Sequence, residues 1–266
     1  MITMQVNIAN HKATVIENGV YYFSLSNYPQ ITPLELKNLL HFIEYEKMHN
    51  RRTEIVCESE SLMMTVNNAI VTPVIIVNMP LPDKIAGCDA CSQKGCLTEF
   101  VYHATDIEAT AKILSSGKLL SAVKAFGKTA DELAYGKRDS LWNDPADFFE
   151  YIMFCWGNCV VGDYVVMSDT PDSEFAPGIR LYFRYKDLLR HPGHVFDGYH
   201  CIKVKDEIVL SDYLYACIVP EQQKSKLERS VLPELVEKVH YLPQNGLGIY
   251  DWSKQIYNFM RRLCLQ

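Results

Sequence analysis

The sequence predicts an α+β protein made of a small N-terminal α+β module, a larger domain of short strands and helices, and C-terminal helices packed on that domain. Two observations carry this prediction. Short β-patterned runs alternate irregularly with capped amphipathic helices along all 266 residues. The periodicity also breaks at Met79–Asp83, which contains two prolines. We therefore expect an N-terminal module over residues 1–86, a cysteine-rich linker over 87–98, a second domain over 99–222 and helices over 223–266.

The composition is that of a globular protein with a sizeable core. Hydrophobic residues make up 48% of the chain and aromatic residues 11%. The 26 basic and 32 acidic residues give a net charge of −6, which argues against a protein that coats nucleic acid by phosphate neutralisation alone. Nine cysteines, several within apolar runs, indicate thiols or a metal site in a reducing cytosol. We expect a cytoplasmic protein without membrane contact, because neither a signal peptide nor a bilayer-spanning run is present.

The N-terminal module is predicted from strand patterns and one capped helix. Asn18-Gly19 separates two of these patterns and is typical of a hairpin turn. Thr32 and Glu35 form a capping box with a proline at the first helical position, and apolar residues follow at helical spacing. This predicts a helix over Pro33–Met48. The predicted strands are Val6–Ile8, Thr14–Ile16, Val20–Leu25, Thr53–Cys57 and Val71–Val77.

Two further capping boxes organise the chain after the linker. Thr105–Glu108 predicts the start of a helix that ends at Gly117, and Thr129–Glu132 predicts the start of a helix that ends at Gly136. The other predicted elements are a short helix from Asp144-Pro145 toward Tyr151 and the strands Phe100–His103, Leu119–Val123, Tyr164–Met167, Ile179–Phe183, Cys201–Val204 and Tyr213–Val219.

The C-terminal tail is predicted to be helical from Lys224, with a break near Pro233. Asp251 is expected to cap a last helix with an apolar stripe at 4-3-4 spacing. We expect this stripe to pack on the core of the chain itself, and a partner-binding helix is the alternative. The stripe consists of Trp252, Ile256, Phe259 and Leu263.

Several enzyme classes are excluded by the absence of their motifs. The sequence has no G-x-G-x-x-G after a strand and no Walker loop, so a Rossmann or P-loop enzyme is not expected. It also has no H-E-x-x-H and no G-x-S-x-G, which argues against zincins and standard α/β-hydrolases.

Four segments of the second domain together resemble the ADP-ribosyltransferase superfamily. Phe100–Glu108, followed by Ala111–Leu120, resembles the opening of that fold, where a strand ends in His, a small residue and Ser or Thr before a helix. Asp147–Phe154 looks like the segment that precedes the nicotinamide pocket in DarT-type DNA ADP-ribosyltransferases. Lys205–Leu210, followed by Tyr213–Pro220, resembles the strand with the catalytic Glu and the strand that closes the domain.

This resemblance, over roughly residues 99–222, implies an enzyme that uses NAD to transfer ADP-ribose to a macromolecular acceptor, nucleic acid or protein, with release of nicotinamide. Cleavage of the nicotinamide–ribose bond passes through an oxocarbenium-like state, as glycoside cleavage does, and a carboxylate beside the ribose stabilises that state. The resemblance also implies the role of a toxin, effector or defence enzyme. The oligomeric state is left open.

The resemblance implies site residues, and each has a structural alternative. Glu207 is expected to be the catalytic carboxylate, and a surface carboxylate on an edge strand is the alternative. His103 is expected to hydrogen-bond the adenosine-side ribose, with Thr105 in contact with ribose or backbone nearby; a structural histidine is the alternative. Tyr151 or Phe154 is expected to stack on the cationic nicotinamide ring, although both are also ordinary core residues.

Arg138 completes the expected NAD contacts, and two features depart from the family pattern. Arg138 is expected to pair with a pyrophosphate oxygen, and a surface cation is the alternative. Arginine-modifying members place Glu or Gln two residues before the catalytic Glu, whereas this chain has Lys205, so arginine-directed activity is not expected. The stacking Tyr of the polymerase-like subclass has no unambiguous match, which leaves the middle residue of the His-Tyr-Glu triad open.

The linker contains a candidate zinc site. Cys88, Cys91 and Cys96 form a C-x2-C-x4-C array in a polar, glycine-containing loop. A knuckle of this kind aims thiolates at one Zn²⁺, and Cys57 is the expected fourth ligand, with a water or a histidine as alternatives. We expect such a zinc to be structural and to pin the two domains together. Free thiols on a linker are the alternative.

Functions of other classes stay open. The histidines of His191-Pro-Gly-His194, with His200 and Cys201, could hold a catalytic zinc, although no carboxylate lies at metalloprotease spacing. Cys201 with His103 or His194 would make the nucleophile pair of a hydrolase. A non-catalytic binding or regulatory protein with a degenerate transferase fold is the remaining alternative. Turnover of NAD separates that alternative from the transferase.

Overall fold

The computed structural model describes residues 3–12, 14–72, 99–136, 145–157 and 178–265, and it confirms the α+β class. The strands are β1 (Thr3–Ala9), β2 (Val15–Glu17), β3 (Val20–Ser24), β4 (Arg52–Val56), β5 (Phe100–Thr105), β6 (Lys118–Leu120), β7 (Tyr151–Met153), β8 (Cys155–Trp156), β9 (Ile179–Arg184), β10 (His194–Val195), β11 (Lys203–Lys205), β12 (Glu207–Val209), β13 (Leu214–Pro220) and β14 (Val239–Leu242).

The helices are α1 (Pro33–Met48), α2 (Glu60–Val71), α3 (Ile107–Ser116), α4 (Ala122–Phe126), α5 (Ala130–Gly136), α6 (Tyr185–Leu188), α7 (Leu210–Tyr213), α8 (Lys224–Leu227) and α9 (Ile249–Leu263). Short 3₁₀ turns are formed by Ala146–Glu150, Glu221–Gln223 and Pro233–Lys238. None of the helices among the described residues combines the length and hydropathy needed to cross a membrane. The predicted strand Tyr164–Met167 lies outside the described residues.

The chain divides into two compact units, and two later stretches group with the N-terminal residues. The first unit is Met1–Gly87 with Thr129–Phe149 and Val195–Cys201. The second unit is Cys88–Lys128 with Glu150–His194 and Ile202–Gln266.

The first unit is built on a four-stranded sheet in the order β2-β3-β1-β4. β1 runs parallel to both β3 and β4, whereas β2 and β3 are antiparallel. Asn18 and Gly19 join β2 to β3 with positive φ angles of 49° and 77°, the signs that a type I′ turn requires. The predicted hairpin is therefore confirmed.

The two long helices of the first unit differ in how well the sequence predicts them. α1 has the predicted bounds, and both hydrogen bonds of its capping box are present between Thr32 and Glu35. α2 was not predicted, although Ser59 accepts from the Leu62 amide as its N-cap. The predicted strand Val71–Val77 is wrong at its first residue, which is the last of α2. Its residues from 73 onward lie outside the described residues.

Gly198 allows a close approach to α1 within the first unit. Its φ is +70°, and a Cβ at this position would lie 2.0 Å from the Asn38 carbonyl oxygen. The hydroxyl of the buried Tyr21 donates to the Gly198 carbonyl at 3.1 Å. Only glycine fits this combination of backbone conformation and contact, so Val195–Cys201 can pack on the helix.

The second unit contains a five-stranded sheet in the order β14-β13-β9-β5-β8. β13 pairs with β9, and β5 with β9 and β8, in antiparallel fashion, whereas β14 lies parallel to β13. The prediction of an all-helical tail is therefore wrong for Val239–Leu242. These residues have β-branched and aromatic character, and they fill the free edge beside β13.

In the second unit, some predicted ends of short helices and strands differ from the observed ones. Asp106 caps α3 by accepting from the Ala109 amide at 2.7 Å, so the predicted cap at Thr105 is wrong, because Thr105 ends β5. α3 ends at Gly117, as predicted, and this glycine adopts a left-handed backbone conformation. The predicted strand Leu119–Val123 ends at Leu120, because Ser121 is the N-cap of α4. In the first unit, the capping box before α5 is confirmed.

The stripe of α9 packs on the core of the second unit, as predicted. α9 begins after Gly248, so Asp251 lies in the first turn of the helix and is not its cap. Trp252 and Ile256 are fully buried, and the helix contacts aromatic residues of the five-stranded sheet. The buried members of this cluster are Phe100, Tyr102, Tyr182, Ala216, Ile218, Leu242, Trp252, Ile256, Tyr257 and Met260.

Candidate active site

Glu207 begins β12 and carries a solvent-accessible carboxylate. β12 pairs antiparallel with β6, and Glu207 lies opposite Leu120. Lys118 Nζ lies 2.9 Å from Glu207 Oε1, and the two side chains are 45% and 44% exposed. Within the described residues this lysine is the ion-pair partner of Glu207. The arrangement leaves a charged carboxylate within reach of a ligand in solvent.

Asp206 divides one continuous run of chain into the strands β11 and β12. Its φ is +66°, a left-handed value that breaks the side-chain alternation of a strand. The Asp206 amide donates to the Glu150 carbonyl at 3.1 Å, and the Ser121 amide donates to the Asp206 carbonyl at 2.7 Å. The run therefore pairs first with β7 and then with β6. Glu207 follows two residues after Lys205, the ladder partner of Tyr151.

His103 lies on β5 and is fixed by a hydrogen bond to β7. Its Nδ1 lies 3.0 Å from the Met153 carbonyl oxygen. A carbonyl oxygen only accepts, so Nδ1 carries the proton and Nε2 of the neutral ring is an acceptor. Burial lowers the pKa of His103 below its ordinary value, while the bond to Met153 acts in the opposite direction. His103 is therefore neutral at pH 7 and can accept a hydrogen bond from a hydroxyl at Nε2.

Phe154 and Tyr151 are both packed in the interior of the second unit. Phe154 packs edge-on against His103 and Phe183, with ring centroids 6.3 Å and 5.3 Å away. The ring of Tyr151 has the buried Lys203 Nζ at 4.8 Å from its centroid. Stacking of a nicotinamide ring on either side chain would require these rings to become accessible, and it stays a prediction.

Thr105 lies near His103, whereas Arg138 is outside the described residues. Thr105 ends β5 and is buried, and strand alternation puts it on the same face of β5 as His103. Its predicted contact with ribose or backbone stays a prediction. The predicted pairing of Arg138 with a pyrophosphate oxygen therefore stays a prediction.

The candidate zinc site is only partly described. Cys88, Cys91 and Cys96 lie outside the described residues. Cys57 is half-buried in the first unit, where its Sγ donates to the Ser59 carbonyl at 3.6 Å and lies 4.0 Å from the Tyr28 hydroxyl. The described residues contain no group of three or more His, Cys, Asp or Glu side chains that could hold a metal ion. The zinc site stays a prediction.

The loop histidines have structural contacts. His191 Nδ1 accepts from the Gly193 amide at 3.1 Å, and its ring packs edge-on against Tyr213. Burial lowers the pKa of His191, and a hydrogen bond to the main chain of Glu207 acts to raise it. His194 Nδ1 bonds to the His191 carbonyl at 2.7 Å. The loop therefore packs beside the strand that carries Glu207.

In the first unit, His200 Nδ1 lies 2.8 Å from Asp197 Oδ2. Cys201 belongs to the first unit, whereas its predicted partners His103 and His194 belong to the second.

Comparisons with protein-family models, with curated proteins and with solved structures give no match.

Sequence reasoning missed three parts of this arrangement. They are the lysine paired with Glu207, the left-handed Asp206 and the Met153 carbonyl that fixes the tautomer of His103. Lys118 directly follows the helix-ending Gly117, but no local pattern connects it with Glu207, which is 89 residues away. The Met153 contact depends on the approach of two strands and has no local signal.

Proposed function

We propose that this protein is an NAD-dependent ADP-ribosyltransferase with Glu207 as its catalytic carboxylate. The proposal builds on the resemblance of residues 99–222 to that superfamily. One structural observation supports it. A hydrogen bond connects His103 to β7 at Met153, and β11, which pairs with β7, is followed through Asp206 by Glu207 of β12. The two side chains expected to bind opposite parts of NAD thus belong to one hydrogen-bonded framework in one unit.

His103 has the protonation state that this role requires. A ribose hydroxyl donates to an acceptor, and Nε2 of neutral His103 is such an acceptor. A charged imidazole would instead present a donor at Nε2, and its positive charge would face a ligand that already contains a cationic nicotinamide. Burial, which lowers the pKa of His103, therefore favours the form that binds NAD.

Glu207 has the charge and the exposure that the reaction requires. The bond between C1′ of ribose and the nicotinamide nitrogen breaks, and its electron pair leaves with nicotinamide. The ribose then carries positive charge, which an adjacent carboxylate stabilises. A heteroatom of the acceptor forms the new bond to C1′, and its proton passes to Glu207 and then to water.

The acceptor in this proposal is a macromolecule, either nucleic acid or protein, and the role is that of a toxin, effector or defence enzyme. We place the reaction in the cytoplasm, because a chain with nine cysteines suits a reducing compartment.

The test is release of nicotinamide from NAD by the wild type and by Glu207→Gln, with a cell lysate as the acceptor pool. Glu207→Gln should reduce release by at least about 100-fold, because a neutral amide does not stabilise the developing cation. Glu108→Gln is the matched control, since it removes the same charge from an exposed residue of α3. Equal release by the wild type and Glu207→Gln, or none by the folded wild type, would overturn the proposal.

A further inference from the structure

The position of Lys118 follows from the way α3 ends. Gly117 adopts φ +68°, which stops the helix and turns the chain directly into β6. The Leu210 amide donates to the Gly117 carbonyl at 2.8 Å and fixes this turn against the end of β12. Lys118 therefore lies at a defined position on the partner strand of Glu207.

The register of β6 and β12 brings the two charges together. Lys118 lies opposite Val209 and Leu120 lies opposite Glu207, so Lys118 and Glu207 are diagonal neighbours. A diagonal separation of this kind is within reach of long side chains. The distance of 2.9 Å between Nζ and Oε1 is that of a charge-assisted hydrogen bond.

We propose that Lys118 is a positioning residue for the Glu207 carboxylate in ADP-ribosyl transfer, an inference that rests on the proposed function. A carboxylate that is 44% exposed has several accessible rotamers. Lys118 selects the rotamer in which Oε1 accepts from its ammonium. Within the described residues, Oε2 has no hydrogen-bond partner, so it is the oxygen available to a ribose hydroxyl.

Lys118 acts on orientation and takes no part in the bond changes. Nicotinamide leaves with the electron pair of its bond to C1′, and the acceptor proton goes to Glu207, so the ammonium of Lys118 keeps its three protons throughout. Its loss should therefore slow the chemical step without weakening NAD binding. That outcome is a fall in kcat at nearly constant KM.

The first experiment measures nicotinamide release by Lys118→Met, Lys118→Arg and Lys112→Met over a range of NAD concentrations. Lys118→Met should lower kcat by about 10-fold and change KM for NAD by less than about twofold, because misplacing a reacting group mainly affects the chemical step. Lys118→Arg should restore most of kcat, since a guanidinium also binds a carboxylate. Lys112→Met is the control, because it removes the same charge from an exposed position on α3.

The second experiment detects the ion pair without any turnover. The ¹⁵Nζ resonances of the lysine side chains are recorded by NMR for the wild type and for Glu207→Gln. The Lys118 signal should shift when the carboxylate is removed, and the Lys112 signal should not. An unchanged Lys118 signal would overturn the inference.

The two experiments separate failure of this inference from failure of the proposed function. Release that requires Glu207 but is the same in Lys118→Met and Lys112→Met would overturn the positioning role and leave the transferase standing. No release by a folded wild type that shows the ion pair by NMR would overturn the proposed function, and the positioning role with it.

Discussion

Acidic residues of the first and second units are paired with basic side chains in different surroundings. In the first unit Glu46 is 1% exposed, and Arg51 binds it through Nε and Nη2 at 2.6 Å and 2.7 Å. The third nitrogen of Arg51, Nη1, binds Asp147 at 2.7 Å, and the Tyr45 hydroxyl donates to the same carboxylate. In the second unit, Glu207 is half-exposed and has a single ammonium beside it.

This difference in exposure predicts different consequences of substitution in the two units. Arg51 binds Glu46 through two guanidinium nitrogens and Asp147 through the third, so both carboxylates have a charge-assisted hydrogen bond within the fold. His49 Nε2 also lies 3.7 Å from Asp147 Oδ2. The pair of Lys118 and Glu207 is open to solvent, so the carboxylate keeps capacity to accept another hydrogen bond. We therefore expect substitutions in the first cluster to affect stability, and substitutions at the second pair to affect activity.

The largest expected effect on stability is that of Arg51→Met. This change leaves two carboxylates of low exposure without their cation, and it should lower the free energy of unfolding by about 3 kcal/mol. Urea denaturation of the purified protein measures the effect. Arg52→Met is the matched control, because the neighbouring side chain is exposed on β4. If both variants lose the same small amount, the buried cluster does not stabilise the unit.

A smaller effect is expected from the ionisation of Asp147. Burial alone would raise the pKa of Asp147, but hydrogen bonds from Arg51 and Tyr45 outweigh burial and hold the pKa below its ordinary value. A pKa lowered in the folded state means that the ionised carboxylate stabilises the fold above its unfolded pKa of about 3.9. This contribution is lost as the pH falls through the folded pKa.

The measurement is urea unfolding of the wild type and Asp147→Asn between pH 7 and pH 3. The difference in unfolding free energy between the two proteins should shrink as the pH falls below about 4. Asp187→Asn is the control, because Asp187 pairs with the exposed Arg190 at 3.4 Å. A difference between the wild type and Asp147→Asn that does not depend on pH would contradict this account of Asp147.

The smallest effect on stability is expected at the exposed pair. Lys118→Met should change the free energy of unfolding by less than about 1 kcal/mol, because exposed ion pairs contribute little. The same urea titration checks it. A loss as large as that of Arg51→Met would mean that the pair stabilises the fold, and the contrast between the two units would fail.

Local rules explain which elements the sequence predicts. The cap of α1, the turn at Asn18-Gly19 and the stripe of α9 each depend on residues close together in the chain, and the structure contains all three. β14 could not be predicted in this way, because its formation depends on a free edge beside β13. The packing of Gly198 on α1 joins residues that are far apart in sequence.

The same distinction between local and long-range signals applies to the residues of the candidate site. Glu207 and His103 could be predicted as site residues because the segments that contain them resemble family motifs, which are recognised from residue types and spacing along the chain. Their partners could not, because Lys118 is 89 residues from Glu207 and Met153 is 50 residues from His103. Both contacts are set by strand pairing and strand proximity, and a single sequence does not encode these in its local pattern.

The measurement that tests the central claim most directly combines activity and stability of Glu207→Gln in one preparation. We predict that nicotinamide release from NAD is lost while the free energy of unfolding stays within about 1 kcal/mol of the wild type. Release at the wild-type rate by this folded variant would contradict the assignment of Glu207 as the catalytic carboxylate.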